Sequence, residues 1–156
     1  MKEIKFLGTT SFIISDYRAA NVNFLKGKVD TVQLLYLDSN DFELETEALA
    51  VAKDGVEYIA HMPIDLNLSF DEDWDKLEKF IHGTSELEPK SYIIHPKNHE
   101  NFFKNLHKYK RKYQNLCVEN TDETTFFDEI LGLNCNICLD AGHAILKGVD
   151  IPHFVR

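Results

Sequence analysis

Apolar residues fall into short, nearly continuous runs, and between the runs lie segments whose apolar positions recur at helical spacing. The opening stretch 3–14, EIKFLGTTSFII, is rich in β-formers. TVQLLYLD at 31–38 is almost uninterrupted, as a strand buried on both faces of a parallel sheet would be. VEYIAHMP at 56–63 and SYIIHP at 91–96 read as strands closed by Pro63 and Pro96. NLCVEN at 115–120 is the fifth strand, and NICLDAGHAIL at 136–146 carries the sixth. The intervening segments predict helices over Tyr17–Leu25, 43–55, 98–113 and 121–132, with another beginning at Asp71. In 43–55, acids open the first turn, Lys53 stands in the last and Gly55 is the stop. After Asp71, residues Trp74, Leu77, Phe80 and Ile81 share one face. Strands and helices alternating at this spacing predict repeated βαβ units, a parallel sheet and an α/β fold. No low-complexity linker or internal repeat interrupts the series, so residues 1–156 read as a single domain.

The strand ends carry a second pattern. In parallel α/β proteins, ligand chemistry collects beyond the C-terminal ends of the strands. Here four successive strands end in residues able to bind metal or move protons: His61, His95, Glu119, and Asp140 with His143. They lie roughly one α/β repeat apart, so a closed barrel would bring them to one axial pocket. Neutral imidazoles with carboxylates suit Zn²⁺ or Mn²⁺. His82, His99 and His107, on or beside helices, and His153 in the tail lack that setting and read as ordinary polar residues. Glu119 ends an apolar strand, so its side chain must face the pocket or a buried partner.

Charge and cysteine content narrow the classes. Seventeen basic against 26 acidic residues give a net charge of −9, which argues against a broad nucleic-acid footprint. The basic run Lys108, Lys110, Arg111 and Lys112 reads as compensation of a helix dipole on a solvated face. No apolar run approaches the roughly 20 residues of a bilayer crossing, and the N-terminus lacks a secretory core. Cytoplasm is the default compartment. Cys117, Cys135 and Cys138 read as core residues; the C-x-x-C of Cys135 and Cys138 has no second pair for a zinc ribbon.

The succession HMP, HP, EN and DAGH, each closing an apolar strand, resembles the xylose-isomerase-like superfamily, which includes endonuclease IV and many sugar-phosphate isomerases and epimerases. That resemblance implies an eight-stranded TIM-type barrel with divalent metal at its C-terminal mouth. Asp140 and His143 match the family's D-x-x-H. Carried over residue by residue, the implied metal ligands are His61, His95, Glu119, Asp140 and His143, with Glu119 and His143 also in catalytic roles. FLGTTSFII, followed by NVNFLKGKVDTVQLLYLD, is similar to the cobamide-remodelling phosphodiesterases of the same superfamily. Gly8 would allow close backbone approach there, and Thr9, Thr10 and Ser11 would offer hydroxyls to a polar or anionic substrate.

The sequence departs from the family in length. Six of eight βα units fill the first 146 residues, and the ligands expected after strands seven and eight are missing. A shortened gene, a partner chain completing the barrel, and a minimal domain that self-associates through its open edges all remain open. The leading functional expectation is a metal-dependent hydrolase of a phosphodiester, with the nucleotide loop of a cobamide as candidate substrate. The alternatives are a sugar-phosphate isomerase or epimerase, which usually needs a further late carboxylate, and an inactive fragment or binding module. DNA repair is disfavoured by the net charge. The expected partner is therefore a small phosphorylated or corrinoid substrate, with neither nucleic acid nor membrane.

Overall fold

Six strands and six α-helices alternate in the computed structural model, which describes residues 7–39, 45–121 and 127–146. In chain order they are β1 (Gly8–Thr10), α1 (Arg18–Leu25), β2 (Thr31–Leu35), α2 (Thr46–Ala52), β3 (Glu57–His61) and α3 (Asp71–Gly83). After a 3₁₀ turn at Ser85–Leu87 come β4 (Tyr92–Ile94), α4 (Glu100–Lys112), β5 (Leu116–Glu119), α5 (Phe127–Gly132), β6 (Asn136–Cys138) and α6 (Ala141–Leu146). The strands form one open, parallel sheet in the order β1-β2-β3-β4-β5-β6, each following its chain neighbour. This is the expected α/β class, a partial TIM-barrel-like arrangement.

The observed strands are shorter than the apolar runs, for local reasons. After Thr10, Ser11 N still donates to Gln33 O at 2.8 Å, but Phe12 N turns back to Thr10 Oγ1 at 3.1 Å, and the Oδ1 of buried Asn21 accepts from Ile13 N at 2.9 Å and Ile14 N at 2.8 Å. The sixth run leaves the sheet at Cys138, and Asp140 opens a helix instead: its Oδ1 accepts from His143 N at 2.9 Å, an N-cap bond. His143 therefore stands in the first turn of α6 rather than on a strand end. α2 starts at Thr46, and residues 43 and 44 of its expected span lie outside the described residues. So do residues 3–6 of the opening run, 122–126 of the fifth helix, and the tail with His153. Gly55 supplies the expected stop with φ +80°, a left-handed turn that suits glycine.

The chain divides into two compact units. One holds the chain up to Leu66 together with Asp75–Tyr92; the other holds Asn67–Trp74 and the chain from Ile93 onward. In the first, Val32 and Leu34 of β2 stand in register with Tyr58 and Ala60 of β3, and all four are fully buried. Alternation then puts Leu35 and His61, also in register, on the opposite face. Tyr58 Oη donates to Leu49 O at 2.9 Å, tying β3 to α2, and Phe80 meets Tyr36 edge-on at 4.7 Å.

In the second unit, Phe102, Asn105, Leu106 and Tyr109 form the buried stripe of α4 at i, i+3, i+4 and i+7. Trp74 packs against Phe102 and Tyr109 with ring centroids 5.8 and 4.8 Å apart, and its Nε1 donates to Leu68 O at 2.8 Å. His99 caps the helix, its Nδ1 accepting from Asn101 N at 3.2 Å. At the other end Lys110, Arg111 and Lys112 occupy the last turn, as dipole compensation requires. β5 and β6 pair with Cys117, Val118 and Glu119 opposite Asn136, Ile137 and Cys138.

Candidate metal centre

Glu119 is the last residue of β5, on a strand whose other positions are apolar, and it is buried at 5% exposure. His95 follows β4 directly. Its Nε2 lies 2.9 Å from Glu119 Oε2, with the imidazole side chain 30% exposed and the carboxylate 6%. An ionised carboxylate only accepts, so His95 donates through Nε2. A buried carboxylate without such a donor would carry the full cost of desolvation.

The next residue, Asn120, went unremarked in the sequence and is central to this strand end. It is buried at 1%. Its Nδ2 donates to Asp140 O at 2.8 Å, its Oδ1 accepts from Asp140 N at 2.5 Å, and its own N–H donates to Cys138 O at 3.3 Å. The side chain thus stands in for a strand partner and clips the Asp140 turn beside β5. Asp140 spends a carboxylate oxygen on the α6 cap. A Cβ on Gly142 would come 3.0 Å from Asp140 Oδ1, so a larger residue would press on the capping carboxylate. The cap accounts for the aspartate and the glycine of the D-A-G-H tetrad.

His61 ends β3 and is buried at 6%. Its Nδ1 lies 2.9 Å from Met62 O. A carbonyl can only accept, so Nδ1 carries the proton and Nε2 the lone pair. Metal-binding histidines are oriented in the same way, by a hydrogen bond from the other ring nitrogen. His61, His95 and Glu119 each offer a ligand atom, and these atoms all lie within 4.8 Å of one another. The group could hold a metal ion. Of the five ligands expected, the structure brings together these three; Asp140 and His143 lie outside the group.

Thr9, Thr10 and Ser11 do not act alike. Thr9 stands in register with buried Val32 and Thr10 with Gln33, so the two point to opposite faces. Thr10 Oγ1 accepts from Phe12 N at 3.1 Å, and buried Ser11 accepts from Leu35 N at 3.1 Å. Both hydroxyls shape the turn after β1. Cys117 is buried, and Cys135 and Cys138 are half-buried. Burial, then the charge of Glu119, then Cys117 and Asp140, push the Cys138 thiol up to about 11; burial also raises Cys135. Among the described residues no metal group includes a cysteine. His82 pairs with Glu78 at 3.5 Å, and His107 is exposed. No described helix is long and apolar enough to cross a membrane.

No protein-family profile matches this chain, and no curated protein does either. A solved structure titled "The crystal structure of AsfvAP:AG" is similar to it, with a TM-score of 0.60 at 12% sequence identity. The match covers 88% of this chain but 60% of that one, so the chain spans well under two thirds of its structural relative. A likeness at that identity carries the fold alone: parallel βα units of the TIM-barrel kind.

Proposed function

We propose that this chain belongs with the xylose-isomerase-like, endonuclease-IV-like barrels and is a divalent-metal-dependent hydrolase of a small phosphodiester. The nucleotide loop of a cobamide is the candidate substrate, and Zn²⁺ or Mn²⁺ the candidate metal. One observation carries the reading: three strand ends, separated by whole βα units, deliver two imidazoles and a carboxylate to a common point. Three protein ligands, two imidazoles and a carboxylate, match the ligand number of catalytic rather than structural zinc.

The residues divide the work as follows. His61, protonated at Nδ1 by its bond to Met62 O, presents Nε2 in fixed orientation. Glu119 supplies the anionic ligand and the nearest carboxylate base. His95 would offer Nε2 as a ligand, with its proton carried on Nδ1 instead, and Glu119 Oε2 would turn from its hydrogen bond with that atom to the cation. His143, set on the Asp140 cap, is assigned to proton transfer at the leaving group. Held by His61, His95 and Glu119, a divalent cation would supply Lewis acidity toward a phosphoryl oxygen and lower the pKa of a bound water. Net charge −9 favours a small substrate over nucleic acid.

The test is metal content and turnover of bis(p-nitrophenyl) phosphate and of a cobamide, after reconstitution with zinc or manganese. The wild type should retain metal and release nitrophenolate, and His95→Ala should do neither. Equal, near-zero metal in both sinks the centre. Metal retained without turnover of either substrate sinks the hydrolase and leaves a metal-binding module.

A further inference from the structure

A cleft of about 1080 Å³ opens in the first unit, where the chain leaves β1 and β2. Ser11, Phe12, Tyr17, Arg18, Leu37 and Glu45 are among its lining residues. The proposed hydrolysis uses none of them, and the Ser11 hydroxyl is taken by Leu35 N at 3.1 Å. Three large side chains stand out into solvent along it: Phe12 at 67%, Tyr17 at 74% and Leu37 at 48% exposure.

The loop presenting the two aromatics is a built feature. Besides accepting from Ile13 N and Ile14 N, fully buried Asn21 donates through Nδ2 to the carbonyls of Ile14, Asp16 and Tyr17 at 3.2, 3.1 and 3.1 Å. A buried amide satisfied at both ends fixes the backbone from which Phe12 and Tyr17 project. Such rigidity does nothing for the exposed rings themselves, and it lowers the ordering cost of any ligand they meet.

Below lies a polar pair. Arg18 Nη1 meets Glu45 Oε1 at 3.0 Å, with the side chains 13% and 12% exposed. Arg18 Nε donates to Leu35 O at 2.8 Å, its guanidinium lies 4.3 Å over the Tyr36 ring, and Glu45 Oε2 accepts from Ala19 N at 3.3 Å. The pair offers a donor beside an acceptor and carries no net charge of its own, and the Asp16 carboxylate, whose Oδ1 accepts from Tyr17 N at 2.8 Å, also lines the cleft. An anionic ligand would meet Glu45, a cationic one Arg18, and a purely apolar one would dry the pair without return.

We propose that this cleft binds a flat, neutral nitrogen heterocycle of the nucleobase class. Its ring stacks on Phe12 and Tyr17, and its donor–acceptor edge meets Glu45 and Arg18. Leu35, whose carbonyl anchors Arg18, is the register partner of His61, so the cleft opens one strand from a proposed ligand of the metal. Binding asks nothing of the metal, and its test is independent of the hydrolase reading.

The experiment is calorimetric titration of the full, metal-free chain with adenine. Saturable one-to-one binding is expected, weakened at least about five-fold by Tyr17→Ala and by Phe12→Ala, as loss of a stacking platform implies. Val51→Ala, on the exposed surface of α2 and outside the lining, should bind like the wild type. Benzoate, a flat anion, should bind more weakly than adenine. Absence of saturable adenine binding, unchanged affinity in Tyr17→Ala, or tighter binding of benzoate each overturns the proposal. Tyr17 is 74% exposed, so its truncation leaves the core intact and decides the matter even if Phe12→Ala fails to fold.

Discussion

Glu119→Gln separates a metal ligand from a structural ion pair, because it keeps the volume of the side chain and removes its charge. Without metal, the amide oxygen can still accept from His95 Nε2, now 2.9 Å from the carboxylate. What is lost is the difference between a charge-assisted and a neutral hydrogen bond, about 1 kcal/mol. Relief from burying a carboxylate at 5% exposure offsets part of that. For a chain of this size, 1 kcal/mol moves Tm by about 2–4 °C, so the metal-free midpoint should fall by no more than about 4 °C. Metal binding behaves differently. At 100 times its Kd, a metal stabilises the wild type by about 2.7 kcal/mol, a Tm rise of about 5–11 °C. Loss of the anionic ligand should cost at least the roughly 100-fold seen for outer-shell changes, which leaves about 0.4 kcal/mol, or about 1 °C, at the same metal concentration. Thermal melts of both proteins with and without zinc read all four midpoints. If the metal-free midpoint collapses while the zinc-induced rise persists, Glu119 is a structural partner of His95 and the centre is wrongly assigned.

Three further outcomes are expected. The Cys138 thiol, raised from 9.0 to about 11, should react with iodoacetamide at neutral pH about 100-fold more slowly than an unshifted thiol, and Glu119→Gln should speed it; mass-spectrometric labelling at the unshifted rate refutes this. Hydrogen bonds from Asn105 and then Asn101 hold the Asp71 carboxyl below its usual 3.8. A depressed folded-state pKa gives stability that is present above the unfolded value and lost as pH falls through the folded one. Asn105→Ala should therefore destabilise the protein at pH 6 more than at pH 2, and an equal loss at both in denaturant titrations counts against the coupling. Finally, β1 and β6 are the outer strands of an open sheet, and Leu7, Ile145 and Leu146 are 58%, 65% and 80% exposed. Concentration-dependent association is expected, and a monodisperse monomer in light scattering at high concentration refutes it.

The fold was legible because its signals are local and repeated. The helix after Asp71 announced itself by one buried stripe, Trp74, Leu77, Phe80 and Ile81, all of them buried. Each strand announced itself by an apolar run, and the regular alternation of the two left few topologies to consider. The boundaries were not legible, because single polar side chains set them through contacts distant in sequence. Nothing in FLGTTSFII says that Phe12 N will turn back to Thr10 Oγ1 and that Asn21 will take the N–H groups of Ile13 and Ile14. Nor does an apolar LDAGHAIL distinguish continued strand from capped helix until Asp140 is seen bonding three residues ahead.

The candidate centre divides along the same line. His61, His95 and Glu119 could be read because the strand-end rule needs only order and type: an apolar run, then a ligand residue, one βα unit apart. Asp140 and His143 carried the most motif-like spacing, yet that spacing is equally the N-cap of a short helix, where Asp accepts from the third residue on. The same four residues satisfy both readings, and the geometry of the cap accounts for the aspartate and for Gly142 without a metal. Asn120 was invisible for the opposite reason. An asparagine after a strand is ordinarily a turn residue, and only pairing with Asp140 at both ends of its amide makes it a clip between β5 and β6. The residues that close the strands are thus written in the one-dimensional pattern, and the residues that shape those strand ends become readable when the sheet brings distant positions together.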